Sequence, residues 1–147
     1  MIKLKVEIIE NIMSIRILSS VIATIILFQS LVVAPIANME LTAEGASIFL
    51  RCIWPIFFII IGVLSLANLL SDYNHKYNLL VNGITVVFMT LCYVLVTPIN
   101  NAMDNGDMTT WKALHMLTVG LTLTVLILHL TLVFRWYKHD VPKSHST

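Results

Sequence analysis

Two histidines lie on one side of the last long apolar stretch and could bind a metal ion or a haem. His115 and His129 are 14 residues apart, which is about 21 Å along an α-helix that rises about 1.5 Å per residue. This separation is typical of the axial ligands of two haems stacked across a membrane bundle. Each haem would need a second ligand, and the other histidines, His75, His139 and His145, lie outside the apolar stretches. A haem would therefore need methionine ligands or a second copy of the chain.

A second group of residues lies where the apolar stretches end, and its side chains could bind a ligand or a partner. Proline frees a backbone carbonyl in a helix, asparagine can satisfy such a group, and tryptophan and histidine combine a flat ring with a polar nitrogen. We expect these side chains to share one face of the protein and to form a binding site there. The group consists of Pro35, Asn38, Pro98, Asn101, Asp107, Trp111 and His115.

Other kinds of chemistry find less support in the sequence. Thioether ligands suit Cu(I), and four methionines stand near His115, but no MxM or MxxM pattern groups them. There is no HExxH motif, no Gly-rich phosphate loop and no pair of carboxylates inside an apolar stretch. We therefore assign no catalytic residue and expect a non-enzymatic protein without a cofactor. The alternative is a small membrane redox, metal-binding or oxygenase-like enzyme that uses His115 and His129.

The elements that must position these residues follow from the composition. Of 147 residues, 58% are hydrophobic and 12% are charged, against about 25% charged residues in a soluble chain. Four nearly uncharged stretches reach the roughly 20 residues that a helix needs to cross about 30 Å of hydrocarbon. They are residues 17–37, 52–71, 77–102 and 113–134. Because backbone amides in lipid must be satisfied within their own segment, we predict an all-α membrane protein, a bundle of four transmembrane helices over residues 17–135.

The positions of lysine and arginine predict the orientation in the membrane. Seven of these residues lie on the side that carries both termini, and two, Arg51 and Lys112, lie on the other side. We expect both termini in the cytoplasm and the protein in a plasma membrane or a bacterial inner membrane. The formal net charge of +1 provides no basic field for nucleic acid. The expected partner is the lipid bilayer, and a homo-oligomer stays an open alternative.

The two ends of the chain are assigned as tails. Residues 1–16 are predicted to be a cytoplasmic tail or a short interfacial segment, and residues 136–147 a cytoplasmic tail. A second methionine, Met13, leaves open whether residues 1–12 belong to the native chain. The first apolar stretch is too long for a signal peptide, and Pro35 interrupts its candidate cleavage site.

The sequence also contains a candidate internal repeat. The exit of the first stretch, Val-Ala-Pro-Ile-Ala-Asn from Val33, matches the exit of the third, Val-Thr-Pro-Ile-Asn-Asn from Val96, at four of six positions. The same offset aligns Glu44 with Asp107. Two similar helical hairpins in parallel repeat would produce this pattern. The alternative is chance, helped by the common use of Pro and Asn at helix ends.

Polar residues inside the stretches follow helical spacing, and this spacing predicts the faces that meet inside the bundle. In the fourth stretch the face consists of Trp111, His115, Thr118, Thr122 and His129. In the third it consists of Asn78, Asn82, Thr85, Met89 and Cys92. In the second stretch, Gly62 and Ser65 would allow close contact between helices.

Both hairpins resemble those of a known family. The first contains Pro35, then Glu44-Gly45-Ala46, then the run from Phe49 to Pro55, in which Arg51 and Trp54 stand. The second contains Thr97-Pro98-Ile99, then Gly106-Asp107, then Trp111-Lys112-Ala113-Leu114-His115. Over roughly residues 20–134 this pattern resembles the family of four-span membrane proteins that includes eukaryotic transmembrane protein 205.

The aromatic-x-x-Leu-His entry into the last helix is the most specific part of this resemblance. Trp111 stands where the family pattern would have Phe, and Thr118 where it would have Ser. Because that family has no settled biochemical activity, the resemblance implies an architecture of four spans rather than a function. The four-span family that includes anthrone oxygenases is also similar, through a Pro-x-Asn exit before a Trp. The Arg that its last helix should contain is missing after His115.

Overall fold

A computed structural model of the chain describes the backbone of residues 2–71 and 76–140 and the side chains of residues 15–71 and 76–135. The described backbone is helical apart from short connections and contains no strand. In chain order the elements are α1 (Ile2–Phe28), a π-helical turn (Gln29–Val33), α2 (Ala34–Glu40), α3 (Ala43–Ser71), α4 (Lys76–Asp104) and α5 (Met108–Asp140). The first three follow one another without a break and form one long helix.

Four segments of the chain can cross a membrane. Residues Ile15–Glu40, Ala43–Ser71, Lys76–Asp104 and Met108–Arg135 are each long and apolar enough to span the hydrocarbon. α3 packs against α4, α4 against α5, and α1 against both α3 and α5, so the helices close into a bundle. The predicted all-α class with four membrane helices is confirmed, and the chain is a multi-pass integral membrane protein.

The two ends of the bundle differ in their connections. Residues 41–42 and 105–107 join neighbouring helices at one end, called here the loop end. The start of α1 and the end of α5 lie at the other, called the termini end. Each of the four predicted stretches lies within one continuous helix, and α3 begins ahead of its stretch, at Ala43. The predictions for residues 1–12 and for the C-terminal tail fall outside the described side chains.

Hydrogen bonds fix the helix ends on either side of the connection between α4 and α5. Gly106 has a φ of +70°, a left-handed conformation that glycine adopts without strain. The amides of Gly106 and Asp107 donate to carbonyl oxygens in the last turn of α4 at 3.1 and 2.9 Å, the Schellman arrangement. The Asp107 Oδ1 atom accepts a hydrogen bond of 3.1 Å from the Thr110 amide and caps α5.

The middle of the bundle is apolar and closely packed. One cluster of buried side chains draws on all four long helices: Ile22, Ile26, Phe57, Phe58, Ile61, Met89, Cys92 and Val125. Gly62 lies in this contact, since a Cβ atom at its position would be 3.8 Å from the Met89 Cβ. Lipid tails supply no hydrophobic force between membrane helices, so close packing and interhelical hydrogen bonds hold the bundle together.

The predicted inward faces of α4 and α5 are confirmed. All five residues of the α4 face are at most 1% exposed. In α5, Thr118, Thr122 and His129 are buried, and Trp111 and His115 are half-buried. Spacing along the sequence therefore identified the side chains that turn toward the other helices.

Candidate functional site

The helices enclose a cavity of about 690 Å³ in the half of the bundle nearer the loop end, called the loop half. Residues from all four long helices line it. Binding sites for small molecules usually measure about 300–1,000 Å³, so the cavity is large enough for an organic ligand. We call it the loop-end cavity and treat it as the candidate site.

The cavity lies where the first long helix changes its packing. α1 packs against both α3 and α5, whereas α2, beyond the π-helical turn, packs chiefly against α3. The turn precedes Pro35, which has no amide hydrogen to donate and whose ring would crowd the carbonyl of Leu31 in a regular α-helix. The Ala34 amide instead donates to the Gln29 oxygen, one residue further back than in an α-helix. This wider turn lets the helix continue past the proline.

Exposed side chains of the first long helix and of α5 form one side of the cavity wall. Leu27 and Leu31 line it from the first long helix, and Val119 and Leu123 line it from α5. Leu31 is 69% exposed and Leu123 is 52% exposed. These positions lie inside the membrane-spanning segments. This side of the cavity therefore faces the lipid, and an apolar molecule could enter sideways from the bilayer.

The deeper wall of the cavity is apolar and partly aromatic. Ile26 and Phe58, which belong to the packed middle of the bundle, also line the cavity. Trp54 stacks on Phe58 at 5.8 Å between ring centroids and meets Phe57 edge-on at 5.4 Å. This wall suits an alkyl chain or a flat ring, since burying apolar surface is the main source of affinity in such pockets.

Polar side chains line the cavity nearer the loop end. They include Asn38, Asn100, Trp111 and His115, together with Arg51. The rings of Trp111 and His115 are parallel within 5°, with centroids 5.1 Å apart. Stacking fixes both rings, so their nitrogens have defined positions.

Two threonines continue the polar side of α5 into the cavity. The Thr118 hydroxyl donates to the His115 carbonyl and the Thr122 hydroxyl donates to the Thr118 carbonyl, each at 2.8 Å. Each hydroxyl hydrogen is therefore used within the helix, while the oxygen can still accept. The threonines can take up a donor from a ligand without leaving a buried group unpaired.

An ion pair joins α3 to α4 beside the cavity. Arg51 Nη1 lies 3.0 Å from Asp104 Oδ2, and Nη2 lies 2.5 Å from Oδ1, so the contact is bidentate. Arg51 lines the cavity and Asp104 does not. The aspartate thus holds the guanidinium from the solvent side.

The structure brings together only part of the predicted binding group. Asn38, Trp111 and His115 line the cavity. The other four side chains are exposed and are not part of its wall: Pro35, Pro98, Asn101 and Asp107. Asp107 has a structural contact, because hydrogen bonds from Thr110 stabilise its carboxylate and lower its pKa below the ordinary 3.8.

Sequence reasoning did not place Arg51, Trp54 and Asn100 in the site. One feature of the sequence could have indicated Arg51, since it is one of only two basic residues predicted at the loop end. Asn100 precedes the predicted Asn101, and helical geometry directs these adjacent side chains to different faces. The repeat pairs Asn38 with Asn101, so the spacing pointed to Asn101 rather than to Asn100.

The two histidines proposed as metal ligands lie in different surroundings. His115 stacks on Trp111 in the cavity wall, and His129 is fully buried farther along α5. The His129 Nε2 atom lies 3.1 Å from Thr85 Oγ1. The same hydroxyl donates to the Val81 carbonyl at 2.9 Å, so it links the His129 ring on α5 to the backbone of α4. Within the described side chains, no three His, Cys, Asp or Glu residues are grouped as metal ligands would be.

The half of the bundle nearer the termini end, called the termini half, is closed by hydrogen bonds between buried side chains. Asn68 Nδ2 donates to Ser19 Oγ at 3.1 Å and links α3 to α1. Asn78 Nδ2 donates to the backbone carbonyl oxygen of Asn68 at 3.1 Å. Asn82 Nδ2 donates to Asn78 Oδ1 at 2.7 Å. With the contact between Thr85 and His129, this network connects all four long helices.

Comparisons with protein-family models, with curated proteins and with solved structures find no match to this chain. The resemblance to known four-span families therefore stays a prediction, and the site must be interpreted from its own geometry.

Proposed function

We propose that this membrane protein is a non-enzymatic binding protein for an amphiphilic small molecule, which enters the loop-end cavity from the bilayer. The observation that carries the proposal is the cavity itself. Its walls come from all four long helices, exposed leucines of the first long helix and of α5 form the side that faces the lipid, and polar side chains stand near the loop end.

The distribution of side chains supports one orientation of the ligand. Leu27, Leu31 and Leu123 line the side that faces the lipid at membrane depth, whereas Trp111 and His115 begin α5. An amphiphile already aligned in the bilayer would keep its apolar part in the hydrocarbon and its polar part at the interface. Binding in this position would require little desolvation of the polar part.

Photolabelling in lipid vesicles tests the proposal. The probe is a long-chain alcohol that carries a diazirine near the end of its chain, and labelled peptides are identified by mass spectrometry. We expect labelling on the cavity-facing positions of α1 and α5, and we expect excess unlabelled alcohol to suppress it. Uniform labelling of the lipid-facing residues that unlabelled alcohol does not reduce would contradict the proposal.

Two matched serine substitutions sharpen this test. Ser47 lines the cavity, so Ser47→Phe would fill space that a ligand needs and should abolish the suppressible labelling. Ser20 is exposed and is not part of the cavity wall, so Ser20→Phe should leave the labelling unchanged. Equal labelling of both variants would show that the probe does not occupy the cavity.

A further inference from the structure

We infer that the ligand of the loop-end cavity is an anionic amphiphile, whose negatively charged head group binds Arg51 while its alkyl chain lies between α1 and α5. This inference rests on the proposed function, because it names the chemical class of the molecule that the same cavity would bind.

The charge of the cavity wall is the first support. Among the described residues that line the cavity, Arg51 is the only charged one, and the wall contains no aspartate or glutamate. A positive charge in a wall that is otherwise neutral attracts an anion. The wall therefore favours a negative head group.

The ion pair with Asp104 leaves Arg51 able to bind a second anion. A guanidinium carries five N–H donors, and the two contacts to Asp104 use one hydrogen on Nη1 and one on Nη2. Three donors stay available. Asp104 is 56% exposed and lies outside the cavity wall, so it fixes the plane of the guanidinium without blocking the cavity.

Neighbouring polar groups can complete the coordination of a head group. Asn100, Trp111 and His115 line the cavity together with Arg51, and each can donate an N–H hydrogen bond. Hydrogen bonds in which one partner is charged are shorter and stronger than neutral ones, so an anion gains more from this set of donors than an alcohol does.

The length of the cavity favours a chain behind the head group. On α5 its lining runs from Trp111 to Leu126, which is about 22 Å along the helix at about 1.5 Å per residue. The part of this range farthest from the loop end, with Leu123 and Leu126, is apolar and borders the side that faces the lipid. A free inorganic anion would leave that surface empty, whereas an alkyl chain would cover it.

Competition between ligands of equal chain length tests the inference. The neutral photoreactive alcohol is displaced in vesicles by palmitic acid, by palmitoyl lysophosphatidic acid, by hexadecanol or by hexadecylammonium. We expect the two anionic competitors to be effective at concentrations about tenfold lower than hexadecanol, the gain of one charge-assisted hydrogen bond. The ammonium should be the weakest. The order of the two anions shows whether a carboxylate or a phosphate head group fits better.

Variants of the ion pair separate the two roles of Arg51. Arg51→Gln should remove the advantage of the anions over hexadecanol, and Arg51→Lys should restore part of it. Asp104→Asn also breaks the ion pair but keeps the guanidinium, so anionic competitors should bind as well as or better than in the original protein. If Arg51→Gln does not fold, the competitor series and the Asp104→Asn variant decide the outcome.

The two proposals fail in different ways. Equal competition by acid, alcohol and ammonium would overturn the anionic preference and leave the cavity as a binding site for neutral amphiphiles. Labelling that no competitor reduces would overturn the binding function itself. An unchanged preference for anions in Arg51→Gln would show that another group holds the head group.

Discussion

Asn68 and Asn82 in the termini half donate hydrogen bonds to neighbouring side chains and are fully buried. Asn38 and Asn100 in the loop half line an open cavity. The histidines differ in the same way, since His129 is enclosed and His115 stands in the cavity wall. Asparagine and histidine thus stabilise helix packing in the termini half and line the candidate site in the loop half.

This difference teaches how to interpret polar residues within membrane helices. Such residues are often functional because their burial in lipid is costly. In the termini half, Asn68 and His129 form hydrogen bonds with residues of other helices, which offset part of this cost, and we infer a structural role. In the loop half, the helices separate and leave space beside the polar groups. The surroundings of a polar residue, rather than its type, therefore decide its role.

The largest expected effect that would sharpen this comparison comes from the two histidines. His129→Ala removes a fully buried ring and its hydrogen bond with Thr85. It should lower the free energy of unfolding by about 3 kcal/mol, as for other large buried side chains. His115→Ala should cost about 1 kcal/mol or less, because the ring is half-buried.

Reversible unfolding in mixed micelles measures both histidine variants. Photolabelling of the cavity should respond in the opposite order, with a loss for His115→Ala and little change for folded His129→Ala. Equal destabilisation by the two substitutions would contradict the assignment of a structural role to His129 and a cavity-lining role to His115.

A smaller effect is expected from a matched pair of asparagines. Asn68→Ala removes the hydrogen bond to Ser19 and should cost about 1 kcal/mol, within the range measured between membrane helices. Asn100→Ala should change stability less and should weaken anionic competition for the cavity. The same unfolding assay, combined with photolabelling, checks this pair. If Asn100→Ala lost more stability than Asn68→Ala, the side chains that stabilise the bundle would lie in the loop half, and the comparison would be contradicted.

The smallest effect concerns Asp107, which the structure assigns to a helix cap and not to the cavity. Hydrogen bonds from Thr110 hold its pKa below 3.8 in the folded protein. Its contribution to stability is therefore complete above that pH and is lost as the pH falls through the folded pKa. Asp107→Ala should flatten this acid-dependent step in thermal unfolding curves without altering photolabelling. A change in photolabelling would indicate that Asp107 takes part in ligand binding.

The sequence was sufficient to predict the class of fold and the inward faces of two helices. The lengths of the uncharged stretches predicted four membrane helices, and the spacing from Asn78 to Cys92 predicted a buried face on α4. Both predictions depend on local rules. A helix in lipid must satisfy its own backbone, and side chains three or four residues apart share a face.

The residues of the cavity wall were predicted only in part, for a physical reason. Matching exits at Pro35 and Pro98 suggested equivalent roles, but a π-helical turn precedes Pro35, whereas α4 stays α-helical through Pro98. Both prolines are exposed. The presence of a proline predicts that one backbone hydrogen bond of the helix is lost, but it does not predict how the surrounding helix adjusts.

By itself, the sequence determined that the chain crosses the membrane as four helices and which residues of α4 and α5 turn inward. Only the tertiary structure decided that the helices part near the loop end, that Arg51 stands in the resulting cavity, and that His129 is enclosed. Helix formation depends on residues within a few turns, whereas the space between helices depends on how four surfaces, distant along the chain, fit against one another.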